Sequence, residues 1–548
     1  MVVDFLSNSR NQVYWIPLVG LVTALLKISL FPTVDFGEAV FVFLVPLTLW
    51  LCFAPPWRSV LWVGGASSLL TWLVLLVWLR HVTWLGWGVV SLVTALFFFA
   101  WILLARWWLP GLRERGVGGR VLVLLALAGG WMLLEWSRTF VFSGFPWLPL
   151  SAALWERPLL LQPAAWIGAH GVSFILVFFN LGVTAYLFRL WTRYQEGWRR
   201  LAPEFYLAVL LLLASGFGVY RFIQPETKEW EPLFRAGFVQ PYIPQDEKWD
   251  EALFQRNLTI LKEQTLLVNM LGPDILLWPE AVLPVPFPIT AEKGDDGPSR
   301  MGDFVDQLVR EAETPIVGGA VSLENARAER EDHVWRNSVF LQNLEEGSRQ
   351  WYHKRKLVPF GEYIPLSWLW PWMDEFVPIG DGFDPGVSAK PLSLTLGEEE
   401  ILLGSLICYE DIFPRLARRS VKEGAEVLFV STNNAWYGEE AGAYQHAAHS
   451  VLRAVENRRP VLRSGNGGWS GWIDEFGNVR LVVTNEEGTV YFRGGTVETI
   501  ERATYWVNRQ SFYNRWGEWF LVVALLFVSG GVILQVFIHP PAVVKRED

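Results

Sequence analysis

Long apolar segments lie at both ends of this chain and frame a polar region between them. Charge-free segments of roughly 18 residues or more, long enough to cross the hydrocarbon core of a bilayer, are concentrated in the N-terminal part. We predict seven membrane-spanning helices before the polar region and one after it. They lie at residues 14–31, 39–57, 59–79, 82–105, 121–134, 171–188, 205–220 and 519–538.

The polar region alternates short apolar runs, typical of buried strands, with segments of helical apolar spacing. Interleaved strands and helices predict an α/β domain whose sheets are covered by helices. Helices are predicted at 251–270 and 442–458, and a third begins near Asp411. Strands are predicted at 235–241, 274–280, 315–321, 337–343, 401–410, 426–432 and 459–465.

Basic residues give the expected orientation of the membrane helices. With the N-terminus inside, twelve Arg and Lys residues fall in the short cytoplasmic segments and three in the short outer loops. The positive-inside rule then places the polar region outside the cytoplasmic membrane. The three outer residues are Arg80, Arg138 and Arg157.

The predicted organisation therefore has three parts. Residues 1–224 hold transmembrane helices one to seven, residues 225–510 form an extracytoplasmic α/β domain, and residues 511–548 hold helix eight and a cytoplasmic tail. Composition agrees, because 52% of the residues are hydrophobic and only 18% are charged. The net charge of −9 lies largely in the polar region, so no basic surface suggests a nucleic-acid partner.

Two charged features of the membrane part are open to more than one interpretation. Glu135 and Arg138 are three residues apart and could pair on one helical face. Such a pair could hold the helical bundle together or contact a lipid headgroup. Lys27, near the end of the first predicted span, is expected to extend its ammonium toward the membrane interface.

Three residues suited to nucleophilic chemistry lie at or just beyond the ends of predicted strands: Glu280, Lys354 and Cys408. If they converge, the carboxylate could accept the thiol proton, the ammonium could stabilise an oxyanion, and the thiolate could attack a carbonyl. Each also has an ordinary explanation: Glu280 as a solvated carboxylate, Lys354 as part of an exposed basic face, and Cys408 as a buried thiol. Spacing alone cannot bring the three together.

Cysteine usage leaves the same question open. The chain has two cysteines, Cys52 within the second predicted span and Cys408 in the polar region, so a disulfide between them is not expected. A lone thiol in an oxidising compartment is either buried and inert or kept for chemistry. The histidines suggest no metal, since the one close pair, His446 and His449, lies in a predicted helix without nearby thiols.

Several motifs resemble those of one protein family. The order Glu, Lys, Cys in the settings "WPE", "YHKRKL" and "CYE" resembles the nitrilase superfamily, as do "STNNAWYG" (431–438) and the segment 453–479. "LVPFGEYIP" (357–365), "IPQDEKWD" (243–250) and "SGFPWLPLSAALWERP" (143–158) resemble its membrane-bound branch, the apolipoprotein N-acyltransferases. The resemblance covers essentially the whole chain and implies an αββα sandwich for the external domain.

The resemblance also implies roles for particular residues. Glu280, Lys354 and Cys408 would form the catalytic triad, and the position of the lysine three residues before the Leu of "LVPFGE" selects Lys354, leaving Lys356 as a neighbour in solvent. Around this triad, Glu362 would support the lysine and the intermediate, and Tyr409 and Glu410 would shape the site beside the nucleophile. Trp249 would lie on a loop over the acyl pocket, or could instead pack at the membrane interface.

The activity implied is the last step of lipoprotein maturation in the bacterial cytoplasmic (inner) membrane. An acyl chain would pass from the sn-1 position of a phospholipid, with phosphatidylethanolamine the expected donor, through an acyl-thioester on Cys408 in ping-pong fashion. The acceptor would be the N-terminal α-amino group of S-diacylglyceryl-cysteine apolipoproteins. No cofactor is expected, and a monomer is the default, because every proposed site residue lies in one chain.

Two alternatives remain at this stage. A membrane-tethered amidase or nitrilase-type hydrolase would share every catalytic residue and use water as the acceptor. A transporter or receptor with a non-catalytic external domain would not require the Cys408 thiol.

Overall fold

The computed structural model describes residues 9–32, 34–193, 202–219, 224–289, 299–324, 333–345, 349–365 and 382–538. The chain divides into two compact units, each described separately below. One unit comprises Met1–Phe222 and Glu518–Asp548, and the other comprises Ile223–Gly517.

The first unit is helical. Within its described residues, 5 helices are long and apolar enough to cross a membrane. They are Trp57–Leu75, Trp84–Leu112, Val117–Ser137, Ala164–Thr192 and Phe520–Phe537. The other three predicted spans coincide with shorter apolar helices, so a total of eight crossings stays a prediction. These helices are Pro17–Ser29, Gly37–Cys52 and Pro203–Gly216.

Glycines let two of these helices approach closely. A Cβ added to Gly129 would lie 2.9 Å from the backbone oxygen of Ala524, and one on Gly531 would lie 2.6 Å from the Cβ of Ala126. Because lipid is as apolar as the side chains it surrounds, membrane helices associate largely through such close packing. The helix Val117–Ser137 therefore packs against Phe520–Ile533 at the smallest residues of both.

The second unit contains two β-sheets, here numbered by strand in chain order. The strands are β1 Trp230–Gln240, β2 Ile275–Leu277, β3 Phe287–Pro288, β4 Ile316–Glu324, β5 Val334–Gln342, β6 Arg349–His353, β7 Leu392–Leu396, β8 Glu399–Ile407, β9 Val427–Asn433, β10 Val461–Asn466, β11 Gly471–Ile473, β12 Val479–Val482 and β13 Gly494–Ala503. The first sheet has the order β13-β1-β2-β4-β5-β6 with β3 beside β4, and the second has the order β12-β11-β10-β9-β8-β7. The central strands of each are parallel, with β1, β2 and β4 in one sheet and β8, β9 and β10 in the other.

The two sheets pack face to face and are covered by helices on their outer faces. Buried apolar residues from both sheets, such as Val339 and Phe429, share one core. The helices Phe254–Asn269 and Ser299–Ala312 cover the first sheet. Pro414–Lys422 packs on β8 and Gly442–Asn457 on β10. The result is a four-layer αββα sandwich, as the resemblance in motifs implied.

All seven strands predicted from apolar runs are present, with two corrections near the proposed nucleophile. The run predicted as a strand over 401–410 ends at Ile407, and Cys408–Ile412 forms a 3₁₀ turn. The helix expected to begin near Asp411 begins at Pro414, whose ring fits the first turn of a helix. Sequence patterns missed the short or alternating strands β3, β6, β7, β11, β12 and β13 and the helix Ser299–Ala312.

Replacing Gly129 with Val should destabilise the helical unit. The added side chain collides with the backbone of Ala524, and overpacking of this kind costs about 1–3 kcal/mol. We expect a lower midpoint in thermal unfolding of the detergent-solubilised protein. Gly118→Val on the same helix is the matched control, since a Cβ there meets nothing within 4 Å. Equal effects of the two substitutions would contradict the packing argument.

Candidate active site

Cys408 occupies a strained position at the end of β8. Its φ of 48° lies in the left-handed region, which costs a residue with a Cβ free energy and is often found at functional sites. The chain reverses there from the strand into the 3₁₀ turn. The residue is 8% exposed. Its thiol is close enough to the side chains of Glu280 and Tyr437 to interact with them electrostatically.

Lys354 follows the end of β6 and is 1% exposed. Its ammonium Nζ lies 2.8 Å from Glu362 Oε1 and 3.4 Å from Glu280 Oε1. Its backbone N–H donates to the carbonyl oxygen of Asn337 on β5, at 2.8 Å. Glu362 is fixed in turn, because Val358 N–H donates to its second oxygen at 2.8 Å. The ammonium is therefore held between two carboxylates.

Glu280 follows β2 and joins the two sheets. Its Oε1 accepts a hydrogen bond from the Asn337 amide at 2.8 Å, and its Oε2 accepts one from the backbone N–H of Asn433, at the end of β9, at 2.9 Å. Gly319 on β4 permits this approach, because a Cβ there would lie 2.5 Å from Glu280 Cα. The next residue, Ala281, has a φ of 46°. The carboxylate is thus positioned by both sheets and by a strained turn.

The charges of this cluster follow from its burial and its partners. Burial acts to raise the pKa of Glu280, but Lys354 and Asn337 outweigh it, and that pKa lies below its ordinary value. Burial, with the nearby Glu280 carboxylate, raises the pKa of Cys408 to about 12. Burial acts to lower the pKa of Lys354, but Glu362 and Glu280 raise it above its usual range. At neutral pH the cluster therefore holds a carboxylate, a protonated thiol and an ammonium.

Lys248 belongs to the cluster and was missed in the sequence. Its buried Nζ donates to the backbone oxygen of Glu280 at 2.9 Å. Burial lowers the pKa of Lys248 to about 8, against the attraction of Glu280 and Cys408. The available signal was its place in "IPQDEKWD", the motif that led to Trp249. Trp249 itself is 45% exposed and its ring centroid lies 6.0 Å from the Lys248 ammonium.

Glu410 is a buried anchor for two segments of the site. Its Oε2 accepts hydrogen bonds from Tyr352 Oη at 2.7 Å and from Ile407 N–H at 2.9 Å. Its Oε1 accepts from the backbone N–H groups of Arg355 at 2.7 Å and Lys356 at 3.1 Å. One carboxylate therefore ties the segment after Lys354 to the strand end before the thiol. The Lys356 side chain, expected in solvent, is half-buried.

A second buried network lies behind the thiol. His446 Nε2 is 3.1 Å from the carbonyl oxygen of Cys408 and 2.8 Å from Asp411 Oδ1. Asp411 Oδ2 accepts hydrogen bonds from Ser450 at 2.7 Å and from Arg463 at 2.5 Å. These contacts stabilise the turn in its strained conformation. Tyr409, the remaining predicted residue, is buried with its ring 5.1 Å from that of Phe413.

The structure thus brings Glu280, Lys354, Cys408 and Glu362 into one buried cluster, with Glu410 bracing it. A thiol beside an ionised carboxylate and an ammonium can form a thiolate, attack a carbonyl carbon and stabilise the resulting oxyanion. Within the described part of the chain, no group of three or more His, Cys, Asp or Glu side chains is arranged to hold a metal ion.

Comparison with known proteins gives matches over both units. Residues 235–499 match the carbon-nitrogen hydrolase family, and residues 23–182 match the apolipoprotein N-acyltransferase N-terminal domain. The chain is 32% identical over 430 residues to the apolipoprotein N-acyltransferase of Geobacter metallireducens, covering 77% of this chain and 74% of that protein. It is 34% identical over 400 residues to that of Rhizobium rhizogenes, covering 70% of each.

Among solved structures, an amidase of the nitrilase superfamily from Nesterenkonia AN1 matches with a TM-score of 0.36 and 20% identity. That match covers 52% of this chain and 97% of the amidase.

Glu410→Gln should lower the stability of the protein while keeping the shape of the side chain. The substitution places an amide NH₂ where a carboxylate oxygen accepts two hydrogen bonds, so buried donors lose their acceptor. An unsatisfied buried donor costs about 1–3 kcal/mol, and we expect a corresponding fall in the thermal unfolding midpoint. Glu399→Gln, at an exposed position on β8, serves as the control and should unfold like the original protein. Equal stability of all three proteins would contradict the anchoring role.

Proposed function

Because this chain belongs to the apolipoprotein N-acyltransferase family, we propose that it transfers an acyl chain from the sn-1 ester of a phospholipid to the N-terminal α-amino group of a diacylglyceryl-modified apolipoprotein. The observation that supports the chemistry most directly is the buried cluster in which the Cys408 thiol lies beside ionised Glu280 and Lys354. The five long apolar helices support a place in the cytoplasmic membrane, where both substrates reside.

In the first half-reaction, Glu280 accepts the thiol proton as the Cys408 sulfur attacks the sn-1 ester carbonyl carbon. The oxyanion that forms is stabilised by the Lys354 ammonium together with a backbone N–H. The C–O bond to the glycerol then breaks, and Glu280 returns the proton to the leaving alkoxide. The products are a lysophospholipid and an acyl-thioester on Cys408.

In the second half-reaction, the neutral α-amino group of the apolipoprotein attacks the thioester carbonyl. Glu280 takes a proton from the attacking nitrogen, the C–S bond breaks, and the proton passes to the departing sulfur. The amide product leaves and the free thiol is restored. An amide lies well below a thioester in acyl-transfer potential, so this step drives the cycle without a nucleotide.

Lipid substrates also explain a membrane-embedded enzyme. Removing an acyl chain from a bilayer costs about 0.8 kcal/mol for each CH₂, a cost avoided when the chain stays in an apolar environment. The distribution of Arg and Lys supports placing the catalytic domain on the external side. All proposed catalytic residues belong to one chain, which is consistent with a monomer.

A covalent acyl adduct tests the proposal. Purified protein incubated with phosphatidylethanolamine alone should gain one acyl chain, mapped by mass spectrometry to the peptide with Cys408 and removed by neutral hydroxylamine. Cys408→Ser should show no adduct, and Glu280→Gln should form it about 10²–10⁴-fold more slowly, since it lacks the general base.

Cys52→Ser is the matched control, because it removes the other cysteine and should leave labelling unchanged. Release of free fatty acid in the presence of an apolipoprotein, without acylation of its amine, would indicate a hydrolase. An intact activity in Cys408→Ser would overturn the proposed mechanism.

The acylation rate should fall as the pH rises through about 8. The Lys248 ammonium, whose pKa is lowered to about 8, favours the thiolate while it is charged and ceases to do so once deprotonated. We expect this alkaline decline in single-turnover acylation of the original protein. Lys248→Met should react about tenfold more slowly near pH 7, which corresponds to about 1.4 kcal/mol, and show no decline near pH 8.

Lys262→Met provides the comparison, since it removes a partly exposed lysine on Phe254–Asn269. Its profile should match that of the original protein. A decline near pH 8 that persists in Lys248→Met would exclude Lys248 as its source.

A further inference from the structure

A buried network of polar side chains lies behind Cys408 and takes no part in the proposed acyl transfer. Its members come from the 3₁₀ turn, the helix Gly442–Asn457 and β10, and all are 0% exposed. They are Asp411, His446, Ser450 and Arg463. An ion pair buried in this way gains little stability over well-packed apolar side chains of the same volume. Stability alone is therefore a poor explanation for the network.

Asp411 and Arg463 form the charged centre of the network. Asp411 Oδ2 accepts hydrogen bonds from Arg463 Nη1 at 2.5 Å and from Ser450 Oγ at 2.7 Å. Arg463 Nη1 also donates to Ser450 Oγ at 3.0 Å, so the three groups contact one another. The guanidinium keeps the carboxylate ionised, and Asp411 Oδ1 is left for a third partner.

That partner is His446, whose ring is fixed in one tautomer. Its Nε2 lies 2.8 Å from Asp411 Oδ1 and 3.1 Å from the Cys408 carbonyl oxygen, and both of these oxygens can only accept. Nε2 therefore carries the hydrogen. Nδ1 lies 3.3 Å from the amide nitrogen of Asn434, which can only donate. Burial, together with Arg463, lowers the pKa of His446, so the ring is neutral at pH 7.

The backbone on both sides of the Cys408 side chain is held by these contacts. Ile407 N–H, one residue earlier, donates to Glu410 Oε2 at 2.9 Å, and the Cys408 carbonyl oxygen accepts from His446. Between them Cys408 has a φ of 48°, a conformation that a residue with a Cβ leaves unless its surroundings hold it there. The direction of the Cα–Cβ bond, and so the place of the sulfur beside Glu280, follows from that conformation.

We propose that His446 is a positioning residue for the nucleophile. Its Nε2–H, aligned by Asp411 and Arg463, binds the Cys408 carbonyl oxygen and keeps Cys408 in the conformation that places the sulfur beside Glu280. This inference rests on the proposed function, in which Cys408 is the nucleophile, and adds to it a residue that acts through the backbone. Without the N–H, Cys408 relaxes toward the extended region and the sulfur moves away from its base. A displacement of about 1 Å is enough to slow a reaction about 10²-fold.

The rate of Cys408 acylation in a single turnover with phosphatidylethanolamine tests this role. His446→Phe keeps a planar ring but has no N–H. We expect its acylation to be about 10²-fold slower at saturating donor, with the donor concentration at half-maximal rate unchanged. His446→Gln can place an amide N–H near the position of Nε2, and its rate should be about tenfold higher than that of His446→Phe.

Thr314→Val is the control for lost buried hydrogen bonds. The Thr314 side chain is buried, and its hydroxyl lies 2.9 Å from Asn269 Oδ1 and 3.1 Å from the Ala312 carbonyl oxygen. This substitution should lower the thermal unfolding midpoint, as His446→Phe should, but leave the acylation rate unchanged. A positioning role predicts that rate and stability separate in this way.

The protonation of His446 is tested separately and without any acyl transfer. In ¹⁵N NMR of the histidine-labelled full chain in lipid bilayers, the signals that vanish in His446→Gln belong to this ring. We expect a protonated Nε2 and an unprotonated Nδ1 at pH 7. This measurement gives a result even where His446→Phe fails to fold.

Four results would overturn the proposal. These are acylation at the original rate in His446→Phe, a rate in His446→Gln no higher than in His446→Phe, an equal loss of rate in Thr314→Val, and an imidazolium or an Nδ1–H tautomer at pH 7. Absence of acylation in the original protein would instead overturn the proposed function itself, so the two failures are distinguishable.

Discussion

The organisation of the unit Ile223–Gly517 depends on one buried ammonium held between two carboxylates. Lys354 lies between Glu280 and Glu362, and removing three charges from water is favourable only if each has close, well-placed partners. The surrounding groups meet that requirement: Asn337 donates to both carboxylates, and backbone N–H groups satisfy their remaining oxygens. In this arrangement the Glu280 carboxylate stays ionised next to the Cys408 thiol. A buried Glu and Cys without these partners would not keep that charge.

This cluster also accounts for the need for two sheets. Glu280 follows a strand of the first sheet, yet its second oxygen is bound by a backbone N–H at the end of β9 in the other. Cys408 follows β8, beside β9, and Lys354 follows β6 in the first sheet. Relative sliding of the sheets would separate the proposed base from the proposed nucleophile. The apolar core shared by the sheets therefore fixes the distances among the proposed catalytic residues as well as the fold.

Sequence reasoning predicted the elements that are continuous apolar runs and missed those with weaker patterns. The central strands are buried on both faces and produce such runs, whereas β13 is mostly half-buried, and β3 has only two residues. Motif order identified Glu280, Lys354 and Cys408, but spacing could not show that they meet, because contacts over such separations depend on the packed sheets.

Lys248 and Asn337 were missed for a related reason. Asn337 has no local signature, and Lys248 is marked only by its place in "IPQDEKWD". Their roles depend on a carbonyl and a carboxylate supplied by Glu280, 32 and 57 residues away along the chain. The charged residues of the helical unit were likewise only partly foreseen. The spacing of Glu135 and Arg138 indicated a pair, and their side chains lie 4.0 Å apart. Lys27, expected to extend toward the interface, is instead buried with its Nζ 3.6 Å from the centroid of the Phe98 ring, a contact that depends on how the helices pack.

The buried state of the Cys408 thiol has a consequence for its resistance to oxidation. Because its pKa is raised to about 12, the resting sulfur is a protonated thiol at neutral pH. Oxidants and disulfides react with the thiolate form, so the resting sulfur is protected from sulfenic acid formation and mixed disulfides. Activation would then be confined to the moment when a carbonyl group sits in the pocket and the neighbouring base accepts the proton.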